Sequence, residues 1–220
     1  QAAISDALFE KVESETSLVA SYMADLWKRP ADFPGGRTYF QDEQPDTIYT
    51  ASVSVLAPGV TPAAVSADLR LLSNLDKVFI PVFQADRNLS QLYAGTESGI
   101  AQLYPWATGV PASFDPRQRE WYTRAKQNRS LGWTNTMIDA VSGTPMVTCY
   151  KPVYDEKRRL IGVVGADVTT ETINQKIIGT QIGKNGYAFL IDGKGNIIAH
   201  PSMQGTGRKW DEAFQTGNLL

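Results

Sequence analysis

Apolar residues near the start of the chain recur at Ile4, Leu8, Val12, Val19, Tyr22, Met23 and Leu26, close to helical spacing. Asp6, Glu10, Glu13 and Ser17 fill the other faces, Ser5 lies early enough to serve as an N-cap, and Pro30 ends the pattern. This predicts one helix from Ile4 to Lys28. At 1.5 Å per residue it would span about 40 Å, long for a compact domain and suited to a core helix, a coiled coil or the spine of a dimer. Past a loop rich in Gly, Pro and Asp the periodicity changes. The pattern predicts a strand over 48–56, a helix over 63–75, and strands over 78–84 and 89–96 joined by the turn Ala85-Asp86-Arg87-Asn88. A shorter extended piece at 99–103 stops at Pro105. A helix over 116–127 follows, with Pro116 in its first turn and Asp115 as its N-cap. The segment 133–138 is short and extended. Strands over 145–154 and 160–169 flank a charged turn, Asp155 to Arg159, and a helix over 169–178 closes this part. The strand at 160–169 is almost wholly apolar, so both its faces should be covered. An apolar strand from Gly186, an Asp-Gly-Lys-Gly-Asn turn and a return to His200 then echo the earlier hairpin at 78–96.

These elements give an α+β chain: a long N-terminal helix with its loop (1–45), a first sheet module (46–178), and a second module (179–220) that has barely begun when the sequence ends. A two-stranded hairpin is marginal alone, so more of the second module is expected beyond it. With 220 residues the chain can bury a substantial core.

Net charge is −2, with both signs mixed and no basic stripe, so nucleic acid is not an expected partner. One cysteine, Cys149, excludes an intramolecular disulfide; with the single His200 it leaves too little for a Cys/His metal site. No metal or cofactor is expected. No apolar run reaches the ~18 residues of a membrane span, and no signal peptide is evident, as would also hold for an extracytoplasmic module cut from its flanking spans.

The candidate chemistry lies between Phe114 and Asp167. Arg119 can take a carboxylate through two parallel charge-assisted hydrogen bonds, and Trp121 beside it offers an N–H and an apolar wall. The structural alternative pairs Arg119 with Asp115, four residues earlier. Asp167 ends a buried-looking strand, where an ionised carboxylate needs a cation or hydrogen bonds; the alternative is a cap on the following helix. Asp139 ends an extended piece before Ser142-Gly143, where a turn role is equally natural. Together the three groups suit a ligand carrying both a carboxylate and an ammonium, whose positive end would relieve the repulsion between the two acids. Enzymatic signals are weak. There is no phosphate-binding loop and no nucleophile elbow, His200 has no nucleophile near it in sequence, and Cys149 reads as a buried thiol.

The run Phe114-Asp115-Pro116-Arg117-Gln118-Arg119-Glu120-Trp121-Tyr122, then Trp133, Asp139 and Gly143, resembles the first lobe of the double Cache family. So do Val147-Thr148, Pro152-Val153-Tyr154 and Gly162-Val163-Val164-Gly165-Ala166-Asp167. Gly186 to Asp192, Gly195 and His200-Pro201 resemble the start of its second lobe. The resemblance implies an extracytoplasmic sensor, periplasmic or extracellular, of a membrane-spanning chemoreceptor or sensor kinase. It would have a long helix and two PAS-like lobes, a homodimer contact through that helix, and a small-molecule ligand in the membrane-distal lobe. In members that bind amino acids, a Tyr five residues before the Arg, the Arg and the Trp face the ligand carboxylate, while a later Tyr and two Asp face its amine. Carried over, Arg119, Trp121, Tyr122, Asp139 and Asp167 match; Phe114 and Met137 stand where two tyrosines would be. The loss of two hydroxyls keeps amines and small carboxylates open beside amino acids. A small-molecule hydrolase or transferase and a ligand-free interaction ectodomain are the other readings.

Overall fold

The structure, a computed structural model, describes residues 2–139, 142–178, 181–182, 186–187, 189–195 and 197–200. Helix α1 (Ala2–Lys28) covers the whole of the predicted helix and ends at the expected residue. It already begins at Ala2, so Ser5 falls within the helix and not at its N-cap position. Val12, Val19, Met23 and Leu26 are fully buried along one stripe, as the periodicity requires.

The stripe packs on an antiparallel sheet of seven strands: β1 (Val53–Leu56), β2 (Gln91–Thr96), β3 (Ile100–Tyr104), β4 (Gly132–Trp133), β5 (Met137–Ile138), β6 (Pro145–Tyr154) and β7 (Leu160–Thr169). Their order across the sheet is β1-β3-β2-β7-β6-β4, with β5 also on β6. β6 and β7 keep the boundaries expected for them on either side of the charged turn. Because side chains alternate across a strand, each strand serves two cores. Leu92, Ala94, Val164, Ala166, Val168, Val147 and Cys149 face α1, while Tyr93, Val163 and Tyr150 face a second core with Trp121, Tyr122, Trp106 and Leu103. That is why β7 reads as a continuous apolar run: both its faces are covered.

Three elements differ from expectation. The run Val78 to Gln84 lies in a helix, α3 (Asp76–Ala85), following α2 (Ser66–Leu72). A short apolar run fits a buried helix as well as a strand. Here the turn after α2 decides it: the Phe79 N–H donates to the Leu75 carbonyl at 2.8 Å, and Val78, Phe79 and Val82 bury one helical face. The supposed hairpin at 78–96 is therefore a helix feeding a strand, and its likeness to the later hairpin fails in its first arm. The strand expected over 48–56 is confined to β1, because the segment before it is spent in turns. The helix expected over 116–127 is split into a 3-10 turn (Pro116–Gln118) and α4 (Glu120–Asn128), with Arg119 extended between them at φ −78° and ψ 148°.

Helix α5 (Thr170–Ile178) follows β7; Thr169, through Oγ1, accepts the Thr172 N–H at 3.1 Å and caps it. Beyond it, β8 (Gln181–Ile182) pairs with β9 (Gly186–Tyr187), and β10 (Leu190–Ile191) with β11 (Ile197–Ala199). Ile198 and Ala199 join the core that α1 and α5 share. The rest of the expected second module, 201–220, lies outside the described residues.

Candidate ligand-binding site

The register of the central strands places the site. Gln91 on β2 and Thr148 on β6 both lie opposite Asp167 on β7, and Tyr93 lies opposite Gly165. Positions two apart share a face, so Gln91, Tyr93, Asp167 and Thr148 all point away from α1. Two glycines make this face usable. A Cβ on Gly165 would stand 2.2 Å from the Tyr93 ring, and one on Gly95 would stand 2.7 Å from Trp121. Without side chains there, the Tyr93 ring lies across β7 and the Trp121 indole across β2. The two rings then meet edge-on at 4.9 Å.

Above this floor is a cavity lined by Tyr93, Trp121, Phe114, Arg119, Met137, Asp139 and Asp167, with Gln91, Leu103, Val110 and Met146. Six of the eight expected residues therefore converge on one space from separate segments of the chain. Tyr122 and Trp133 do not line it. Tyr122 packs in the second core and donates to Glu97 Oε1 at 2.8 Å, which takes its hydroxyl away from the cavity. The same carboxylate receives Lys126 Nζ at 2.9 Å through Oε2. Trp133 is on the opposite face of the sheet. Its Nε1 donates to Glu13 on α1 at 2.8 Å and its ring meets Phe9 edge-on.

The break before α4 decides what Arg119 can do. Asp115 is taken by Arg117, whose backbone N–H, Nε and Nη2 donate to it at 2.9, 2.9 and 2.7 Å. The alternative pairing of Arg119 with Asp115 is thereby excluded. Among the described residues Arg119 makes no side-chain hydrogen bond or ion pair; its guanidinium lies 5.7 Å from the centre of the Phe114 ring. Phe114 offers that cation a π face but no hydroxyl.

Asp167 is 1% exposed. It does not cap α5, a role that Thr169 fills. Its Oδ1 accepts from Tyr93 Oη and from Thr148 Oγ1, each at 2.6 Å, and among the described residues Oδ2 receives no hydrogen bond. Burial pushes its pKa up to about 7, further raised by the charge of Asp139; the Thr148 and Tyr93 hydrogen bonds and, more weakly, the Arg119 charge oppose the rise. Burial, followed by the neighbouring Asp167 charge, likewise raises the Tyr93 phenol well above its usual range, so it stays a donor. Asp139 has a second task, accepting the Ser142 backbone N–H at the turn. Met137 lies where Thr148 Oγ1 approaches its sulfur at 3.7 Å.

Tyr93, Thr148 and Gln91 are not foreseen by the sequence. Tyr93 carries a signal only in combination, as an aromatic opposite a strand glycine, and the pairing that reveals it is long-range. The two residues weighed for covalent or acid–base chemistry lie elsewhere. Cys149 faces α1, and burial pushes its thiol up to about 12. His200 is buried beside α5, where its backbone N–H donates to Asn174.

The family model described as "Cache domain" (dCache_1) matches residues 3–218. The chain belongs to the Cache-domain family. Its relatives include the methyl-accepting chemotaxis protein McpA of Pseudomonas putida, 36% identical over 134 residues, which is 60% of this chain and 20% of McpA. Among solved structures, the ligand-binding domain of the Pseudomonas aeruginosa amino-acid chemoreceptor PctC in complex with GABA is 28% identical, with a TM-score of 0.54 over 64% of each chain. The ligand-binding domain of the Pseudomonas fluorescens chemoreceptor CtaA with L-serine is 22% identical, with a TM-score of 0.55 over 99% of this chain and 81% of that one; it shares the fold. This Cache-domain chain spans about a fifth of the length of the curated relatives it matches. Among the described residues, no helix is long and apolar enough to cross a membrane.

Proposed function

We propose that this Cache domain is the extracytoplasmic ligand-binding region of a membrane-spanning chemoreceptor, and that it binds a small zwitterion, an amino acid or a close relative, without transforming it. The observation that carries the reading is the pairing of unmet needs in one cavity. Among the described residues Arg119 has no anionic partner, and the buried Asp167 keeps one oxygen without a donor. A carboxylate on Arg119 gains a bidentate, charge-assisted contact. An ammonium between Asp139 and Asp167 supplies the missing donor and favours the ionised form of Asp167. Phe114 and Met137 give the ligand no hydroxyl, and with Val110, Leu103 and Met146 they offer it an apolar rim, while the Tyr93 hydroxyl is spent on Asp167.

Residues 46–178 would form the membrane-distal lobe and 179–220 the start of a membrane-proximal one. Helix α1 would carry the ligand-dependent shift towards the membrane and pair with its copy in a dimer; Leu18 is 55% exposed on its outer side. Ligand shifts such an equilibrium only as far as its affinities for the two states differ.

Thermal unfolding of the 220-residue chain with amino acids, amines and organic acids tests the reading. A ligand at 100 times its Kd stabilises by about 2.7 kcal/mol. Stabilisation by a zwitterion that Arg119→Ala abolishes is expected; the absence of any stabilising compound in all three classes would overturn it, and turnover of a hit would replace binding with catalysis.

A further inference from the structure

Away from the cavity, two carboxyl groups meet between the long helix and the lobe. Glu15 is on α1, and Asp86 follows α3. Asp86 is 1% exposed, and its Oδ1 is saturated by the Asn88 backbone N–H at 3.0 Å and the Asn88 side-chain amide at 2.6 Å. Its Oδ2 and Glu15 Oε2 are both buried without a hydrogen-bond donor. The charged groups facing Glu15 are Asp86, from the loop after α3, and Lys11, one turn earlier on its own helix. Lys11 Nζ stands 3.8 Å from Glu15 Oε1 and 3.3 Å from Asp86 Oδ2, and Lys11 is half exposed, so its charge is screened by water. The two carboxyl groups share that one cation at the rim, and each keeps a buried oxygen that no hydrogen bond satisfies. A single proton converts that pair into an O–H···O hydrogen bond.

We propose that Glu15 and Asp86 share one proton in the folded protein, and that this proton clamps α1 to the lobe, so that losing it loosens the helix. The geometry assigns the proton to Glu15, because the other oxygen of Asp86 already has two donors from Asn88. Burial, then the charge of Asp86 and the contact with it, raise the Glu15 pKa to about 7, with Lys11 opposing. The sign follows from linkage. A carboxyl whose folded-state pKa lies above its unfolded value stabilises the closed contact fully below the unfolded value, near 4.5, and the contribution is lost as pH rises towards the folded one. The clamp is therefore tightest in mild acid and weakest above neutrality. Proton concentration would then bias the same helix that a ligand in the cavity is proposed to move, from a site of its own.

Two measurements on the 220-residue chain test this. Carboxyl-carbon NMR should show Glu15 titrating near pH 7; titration near the ordinary value of 4.5 overturns the proposal. Hydrogen exchange of the α1 amides around Glu15, corrected for the pH dependence of chemical exchange, should report an opening equilibrium that rises by about tenfold per pH unit between about pH 5 and 7 and levels above it. In Glu15→Gln, which keeps a neutral donor, that rise should vanish while β2 amides keep the wild-type trend. An α1 opening that is flat with pH in the wild type, or that rises equally in Glu15→Gln, overturns the proposal. Should Glu15→Gln not fold, the wild-type titration decides alone.

Discussion

The Tyr93 hydroxyl donates a 2.6 Å hydrogen bond to Asp167 Oδ1, across two adjacent strands. Thr148 donates to the same oxygen from the other side, so one oxygen of the acid is held by the sheet and the other is left to the cavity. Tyr93→Phe removes a donor to a charged acceptor, an interaction contributing about 1.5–3 kcal/mol. The expected result is a higher Asp167 pKa and weaker binding of an ammonium ligand, read by calorimetry at about pH 7; an unchanged Kd would show that Thr148 alone holds the acid.

Asp167→Asn separates binding from folding. Removing the charge from a desolvated pair should weaken a cationic ligand by about 2–5 kcal/mol. The unliganded domain should instead gain stability at about pH 8, because the wild-type acid must ionise while buried. Denaturant unfolding at that pH with and without ligand checks both halves.

The pH dependence of affinity follows from the same group. With a folded-state pKa of about 7, Asp167 is largely protonated below neutrality, and a cationic ligand must displace that proton. Affinity for an ammonium should rise by about tenfold per pH unit below about pH 7 and level above it. The contribution of Asp167 to folding runs the opposite way: raised from 3.8, it is present below that value and lost as pH climbs to about 7. Calorimetry and unfolding from about pH 5 to about pH 8.5 would read the two slopes.

Arg119→Ala should abolish binding of a carboxylate ligand while changing stability by no more than about 0.5 kcal/mol, since among the described residues the guanidinium makes no hydrogen bond or ion pair and acts on Asp167 only weakly through its charge. A large loss of stability would mean that Arg119 holds the fold.

Gly165→Ala puts a Cβ into the Tyr93 ring. Overpacking of this kind costs about 1–3 kcal/mol and should displace Tyr93 from Asp167, so that ligand affinity falls together with stability. Trp133→Phe is the contrast: it breaks the bond to Glu13 on α1 and should leave ligand affinity untouched. Calorimetry and denaturant unfolding of both variants check the pair.

Much of this was legible along the chain because it depends on local periodicity. The α1 stripe, the boundaries of β6 and β7 and the double coverage of β7 all follow from which positions are apolar. Val78 to Gln84 was not legible, since an unbroken apolar run carries no period and the choice of helix fell to the turn after Asn74. In the site, Arg119, Trp121, Asp139 and Asp167 stood out as charged or aromatic residues in an otherwise ordinary run. Tyr122 and Trp133 stood out in the same way, yet they point elsewhere, because one position along a helix or strand turns a side chain to another face.

Spacing and residue chemistry along the chain were enough for most element types, since these are local properties, and the family was carried by the resemblance of its motifs. Long-range packing alone settled that Arg119 is left open while Arg117 takes Asp115, that Tyr93 and Thr148 hold one oxygen of Asp167, and that Glu15 and Asp86 come together around Lys11. Each of these depends on how the folded backbone sets side chains against one another, and what a charged group does is decided by the partners and the burial it finds there.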